Sequence, residues 1–103
     1  MYKKGDFMYK GISTNEVKGL IGRINIIDIR DNYLYNIGNI PTSKNIPFNY
    51  LYMNPNDYLE KEKIYYIYCS KGVQSNKMCS YLSNLGYNVI NIDGGYNDYI
   101  SKN

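Results

Sequence analysis

The stretch from Ile64 to Ser75 constrains the fold of this chain more than any other. An apolar, β-favouring run, Ile64–Tyr68, ends at Cys69, and a short loop containing Gly72 leads into a helical pattern. A strand, a tight loop and a helix start in series form an anion-binding cradle, because backbone N–H groups and the helix N-terminus face one concavity. Such a cradle favours the thiolate of a cysteine at its mouth. Cys69 is therefore either a nucleophile or a residue that simply ends a buried strand.

The other apolar runs alternate with helical patterns. Residues 25–30 and 88–93 are typical of strands buried on both faces, and Ser13 with Glu16 forms a capping box for a helix expected to end at Gly22. The alternation predicts an α/β domain with a mostly parallel central sheet flanked by helices. We expect one domain over residues 1–103. Further strands are expected at residues 8–12 and 45–46, and short helical segments at 31–37, 48–53, 54–59 and after Gly94-Gly95.

Polar residues follow two other predicted strands. Asp28 and Arg30 alternate at the end of one, so their side chains point to the same face of the sheet. Asp93 and Gly94 follow another. Ligands of parallel sheets bind beyond the carboxyl ends of the strands. Because Cys69 also follows a strand, this convergence favours its functional interpretation. The Asp–Arg pair is either a structural ion pair or a support behind the site.

Two cysteines and no histidine narrow the chemistry. Cys–His proteases, Ser–His–Asp hydrolases and histidine metal sites are excluded, and two cysteines cannot complete a four-ligand zinc site. Cys79 lies on the apolar face of a helix expected to stop at Gly86, and we interpret it as a core residue. That face consists of Met78, Cys79, Leu82 and Leu85.

The charge pattern bears on partners and location. The formal net charge is +3 and the lysines are scattered, so we expect neither nucleic-acid nor membrane binding. No apolar run approaches the roughly 20 residues of a membrane span. The first six residues do not have the pattern of a signal peptide. We expect a cytoplasmic protein.

Several motifs in order resemble the single-domain rhodaneses, or sulfurtransferases. The resemblance covers nearly the whole chain, and the family's closing segment, with its glycine pair, is matched as well as its active-site loop. The matching segments are Ile27-Asp28-Ile29-Arg30, Gly38-Asn39-Ile40-Pro41, Asn45-Ile46-Pro47, Tyr68-Cys69-Ser70-Lys71-Gly72-Val73-Gln74-Ser75, Leu85-Gly86-Tyr87-Asn88-Val89 and Asp93-Gly94-Gly95-Tyr96.

This resemblance implies a rhodanese-like three-layer domain and a persulfide mechanism. Cys69 would take a sulfane sulfur from thiosulfate or a thiol persulfide and pass it to cyanide or a thiol, including one on an acceptor protein. The resemblance implies no metal and no organic cofactor. Asp28 and Arg30 would support the site from behind. The anion-binding loop that holds the charged intermediate would consist of Ser70, Lys71, Gly72, Val73, Gln74 and Ser75.

The loop departs from the family pattern at two positions where arginine is common. Gln74 and Ser70 stand there, which leaves Lys71 as the loop's cation, either facing the substrate or facing solvent. Thiosulfate is therefore expected to be a poor donor. Outside the loop, Asn39 replaces a histidine and Tyr99 a tryptophan of the pattern.

Three alternatives remain open. A cysteine phosphatase or arsenate reductase loop requires arginine at position 75, where this chain has Ser75. A rhodanese-like interaction module with weak activity fits the missing arginines but not the retained Cys69 and Gly72. A thiol sensor would oxidise at Cys69 without transferring sulfur.

Overall fold

The computed structural model describes residues 9–102, together with the backbone of residues 2–3. The expected first strand, residues 8–12, is confirmed from Tyr9 onward, and Met8 lies outside the described residues. The strands are Tyr2–Lys3 (β1), Tyr9–Ile12 (β2), Asn25–Asp28 (β3), Lys44–Asn45 (β4), Ile64–Tyr68 (β5) and Asn88–Ile92 (β6). The helices are Thr14–Lys18 (α1), Asn32–Ile37 (α2), Phe48–Met53 (α3), Val73–Asn84 (α4) and Gly95–Ser101 (α5), with a 3₁₀ turn at Pro55–Asp57.

The six strands form one sheet in the order β1-β2-β6-β5-β3-β4. All neighbours are parallel except β1 and β2. In register, Asp28 lies beside Tyr68 on the neighbouring strand. The carboxyl ends of β3 and β5 therefore lie side by side, and the segments that follow them start from the same edge. The predicted α/β fold with a mostly parallel sheet is confirmed.

Helices cover both faces of the sheet and create two apolar cores. On one face, Ile27, Ile67 and Val89 pack with residues of α3 and α4, among them Leu51 and Leu82. On the other, Ile26, Tyr68 and Ile92 pack with Val17 of α1 and with Tyr96 and Tyr99 of α5. Burying a leucine or isoleucine side chain contributes about 1.5–3 kcal/mol, so these two layers hold the strand ends rigidly in place.

The start of α1 is as expected, but its end is not. The capping box is confirmed, because Ser13 Oγ accepts from the Glu16 N–H and Glu16 in turn accepts from the Ser13 N–H. The helix nevertheless ends at Lys18 rather than near Gly22, since Leu20 N–H bonds to the carbonyl of Val17 and the chain continues as tight turns.

The expected end of α4 is confirmed, because Leu85 caps the helix and Gly86 follows it in the left-handed conformation at φ +94°. The burial expected for Leu85 is wrong. The helix stops at Asn84, which leaves Leu85 outside the buried face and 41% exposed. In the described part of the chain, none of the helices has both the length and the apolar character needed to cross a membrane.

Candidate active site

Cys69 directly follows β5, and backbone N–H groups surround its sulfur. The Gly72 N–H donates to Sγ with a nitrogen–sulfur distance of 3.1 Å, and the Ser75 N–H does so at 3.3 Å. Ser75 lies in the first turn of α4, where N–H groups have no partner within the helix. The side chain of Cys69 is almost buried, at 5% exposure for the residue. Two donors and a helix N-terminus therefore stabilise negative charge on this sulfur.

The Ser75 side chain completes the cradle. The Cys69 thiol donates to Ser75 Oγ at 3.4 Å, and the Ser75 hydroxyl donates to the Gly72 carbonyl at 3.2 Å. Ser75 is fully buried. When the sulfur is ionised, rotation of the hydroxyl adds a third donor toward it, since a hydroxyl can both donate and accept. Gly72, at φ +95°, provides the left-handed turn that starts α4.

The start of α5 fixes the loop from the other side. The Tyr96 N–H donates to the carbonyl of Cys69 at 2.8 Å, and the Asn97 N–H donates to that of Ser70 at 2.9 Å. A Cβ on Gly95 would lie 2.5 Å from the Cys69 carbonyl oxygen. Only glycine permits this approach, so Gly95 lets one backbone segment hold the other. The sequence predicted that residues 93–95 follow a strand, but it did not predict their contact with the Cys69 loop.

Asp28 and Arg30 form a buried ion pair. Arg30 Nη2 lies 2.7 Å from Asp28 Oδ2, and it also donates to the Gly38 carbonyl at 2.7 Å. Burial acts to lower the pKa of Arg30, but the hydrogen bonds and the charge of Asp28, together with Tyr68, outweigh burial and raise it. The guanidinium lies 4.2 Å from the Tyr96 ring centroid. The pair is therefore a structural ion pair, and its guanidinium packs against Tyr96, whose N–H bonds to the Cys69 carbonyl.

A cleft of about 350 Å³ opens in front of Cys69. Of the predicted loop residues, Ser70, Lys71, Val73 and Gln74 line it, whereas Gly72 and Ser75 lie buried beneath the sulfur. Arg30 lines the cleft and Asp28 does not. The remaining lining residues were not predicted from the sequence, and they come from segments after β3 and β4: Ile29, Asp31, Leu34 and Phe48. Ile29 lay in an expected strand and the other three in expected helical segments, so none carried a separate signal for a site.

The second cysteine has a different environment. Cys79 is fully buried in the core on the α4 side of the sheet. Burial raises the pKa of its thiol, and the charges of Asp93 and Cys69 add to this effect. A larger cavity, about 600 Å³, lies near the amino ends of β5 and β6, and neither cysteine lines it. Among the described residues, no group of three cysteine, aspartate or glutamate side chains is placed to hold a metal ion.

Comparison with known proteins gives a consistent result. The family model described as "Rhodanese-like domain" matches residues 13–102. The Bacillus subtilis protein named "Putative sulfurtransferase YtwF" is 30% identical over 89 residues, which cover 84% of this chain and 85% of that protein.

Two solved structures also match closely. A rhodanese-like domain protein from Staphylococcus aureus is 34% identical, with 87% of this chain and 90% of that one covered and a TM-score of 0.80. A rhodanese-related protein from Thermoplasma volcanium is 29% identical, with 91% and 93% covered and a TM-score of 0.83.

Proposed function

The chain belongs to the family of rhodanese-like domains, and we propose that it is a sulfurtransferase that works through a persulfide on Cys69. The donor is thiosulfate or a thiol persulfide, and the acceptor is cyanide or a thiol, either free or on a protein. One observation carries the proposal: Cys69 Sγ accepts from the N–H groups of Gly72 and Ser75 while its side chain lines an open cleft.

In the first half-reaction, the Cys69 thiolate attacks the outer sulfur of the donor. A sulfur–sulfur bond forms to Cys69 while the donor's own bond to that sulfur breaks, and the electron pair leaves with the donor. From thiosulfate the leaving group is sulfite, and from a thiol persulfide it is the thiolate. The charge is −3 on both sides of the thiosulfate reaction, so no oxidant or reductant is needed.

In the second half-reaction, an acceptor thiolate or cyanide attacks the outer sulfur of the Cys69 persulfide. Cyanide becomes thiocyanate, a thiolate becomes a persulfide, and Cys69 returns as a thiolate. The extra sulfur of the intermediate carries the negative charge past the position of Cys69 Sγ and toward the loop. Backbone donors fixed in advance stabilise such a charge without reorganising, as an oxyanion hole does for oxygen.

The side chains around the loop have separate roles in this proposal. Ser75 Oγ turns its proton toward the sulfur when the charge forms. Lys71 and Gln74, both exposed at the cleft, attract and orient the donor. Ser70 contributes through its backbone, because its carbonyl accepts a hydrogen bond from the Asn97 N–H. Asp28 and Arg30 act at a distance through Tyr96 and contact no reacting atom.

Intact-mass spectrometry tests the proposal. The protein is incubated with thiosulfate or with glutathione persulfide, and Cys69→Ser is treated in parallel. We expect the mass of one sulfur to be added to the unmodified chain, to be released by cyanide, and to be absent from Cys69→Ser. No addition from either donor, in a folded protein whose Cys69 thiol is free, would contradict the proposal and favour an interaction module. Peroxide oxidation without sulfur loading would favour a thiol sensor.

A further inference from the structure

The cleft in front of Cys69 has apolar walls. It is lined by Ile29, which is buried, by Leu34 of α2, by Phe48 of α3 and by Val73, the first residue of α4, which is 59% exposed. A cleft of about 350 Å³ lies in the range that accepts small organic ligands, which is larger than a donor such as thiosulfate requires. An apolar group that binds against these walls removes apolar surface from water, which favours binding.

The charges at the cleft nearly cancel. Lys71 and Asp31 both line it and are both exposed, so the cleft carries one exposed cation and one exposed anion. Arg30 also lines it, but its charge is neutralised by the buried pair with Asp28. The backbone N–H donors around Cys69 Sγ stabilise one negative charge at the sulfur. A dianion therefore meets no surplus of positive side chains here, whereas a monoanionic or neutral donor loses nothing by their absence.

We infer that Leu34, Phe48 and Val73 form an apolar subsite that binds the carbon group of an organic persulfide. The donor to Cys69 is thus a persulfide R–S–SH in which R is apolar and uncharged. The inference rests on the proposed function and names the substrate class of the same site. The three residues determine specificity through the donor's R group and do not touch the sulfur that moves.

The transfer balances without a further reagent. The Cys69 thiolate attacks the outer sulfur of R–S–SH and forms Cys69–S–SH. The bond between the two donor sulfurs breaks, and its electron pair leaves with R–S⁻. The proton stays on the transferred sulfur. The Cys69 sulfur is oxidised from the thiolate to the persulfide level while the donor's inner sulfur is reduced to a thiolate, so the two changes cancel. The thiolate R–S⁻ then leaves through the cleft.

Sulfur loading from ethyl and butyl persulfide tests the subsite. The two donors share the same reacting group and charge and differ by two methylenes. We measure the second-order rate constant for loading Cys69 by quenched intact mass. Each methylene that leaves water strengthens binding roughly fourfold, so butyl persulfide should load on the order of tenfold faster than ethyl persulfide. The ratio of the two constants is the readout, because a partly unfolded sample lowers both constants equally.

Leu34→Asn and Ile37→Asn form a matched pair of variants on α2. Leu34 lines the cleft, while Ile37 is 81% exposed and lies outside the cleft lining. We expect Leu34→Asn to lower the butyl-to-ethyl ratio to about threefold or less and Ile37→Asn to keep the wild-type ratio. Val73→Thr retains the side-chain shape at an exposed position and should lower the ratio about twofold.

The possible outcomes separate this inference from the function it rests on. A ratio near one in the wild-type protein, or the same ratio in Leu34→Asn and Val73→Thr as in the wild type, would overturn the apolar subsite while leaving sulfur transfer intact. A folded protein that accepts sulfur from no donor at all would overturn the proposed function itself. A high ratio that falls in both cleft variants and not in Ile37→Asn would support the inference.

Discussion

The two cysteines lie ten residues apart in the chain but in opposite environments. Cys69 follows a strand, its Sγ accepts hydrogen bonds from two backbone N–H groups, and it borders a cleft. Cys79 lies on α4 with its side chain in the core, where burial raises the pKa of its thiol and keeps it neutral. Both are at most 5% exposed, so exposure does not distinguish them. The difference is the presence of donors and an opening on one side of the sulfur.

The two environments differ in whether ionisation of a thiol is compensated. A buried sulfur surrounded by carbon gains nothing from ionising, since the charged form is desolvated without compensation. A sulfur beside helix-start N–H groups replaces its lost hydration with fixed dipoles. The same amino acid thus supports packing at one position and, in our proposal, chemistry at the other.

Replacing each cysteine by serine in turn tests the comparison most directly. We expect Cys79→Ser to retain the loading rate per folded molecule, whereas Cys69→Ser loses it entirely. Cys79→Ser should also lower the free energy of unfolding by about 1–3 kcal/mol, because it buries a hydroxyl in an apolar core. Denaturant unfolding measures the stability and intact mass measures the loading. Loading that survived in Cys69→Ser and disappeared in Cys79→Ser would show that both roles are assigned wrongly.

The support behind Cys69 gives the next largest effect. In Gly95→Ala the new Cβ would meet the carbonyl oxygens of Cys69 and Ser70 at 2.5 and 2.7 Å, at a backbone φ of +64°. The left-handed conformation alone costs an alanine about 1–2 kcal/mol, and the contact must also displace the loop. We therefore expect the sulfur-loading rate to fall at least tenfold, in addition to the loss of stability.

Gly22→Ala is the matched control for this substitution. Gly22 has φ +91°, and a Cβ added there would have no atom within 4 Å, so the substitution adds backbone strain without a contact. Stability should fall by about 1–2 kcal/mol, and loading per folded molecule should not change. Equal loading in both alanine variants would mean that the approach of Gly95 to the loop does not shape the sulfur cradle.

Local patterns predicted the elements of the fold well because each pattern lies within one segment. The capping box at Ser13, the apolar run at Ile64–Tyr68 and the Asp28–Arg30 alternation all form as expected. The early end of α1 was missed, since a glycine marks a stop without excluding an earlier one at Gly19.

The surroundings of the candidate site were less predictable. The bonds from Tyr96 and Asn97 to the loop join backbone atoms of segments about 27 residues apart, and no side-chain pattern encodes them. Leu34 and Phe48 carry ordinary apolar signals, and only the tertiary fold brings them to the cleft. Asp31 was expected at a helix start, and nothing in the sequence indicated that it would line the same cleft as Lys71.

The smallest expected effect concerns the charge at the cleft margin. Gln74→Arg places a second cation beside Lys71 and outweighs Asp31, so a dianionic donor should bind better. Position 74 is exposed, and solvent screening limits the gain, so we expect the Michaelis constant for thiosulfate to fall about three- to tenfold. Asn84→Arg adds the same charge at the exposed far end of α4 and should leave that constant unchanged. An unchanged or higher constant in Gln74→Arg would mean that charge at the margin does not limit the use of thiosulfate.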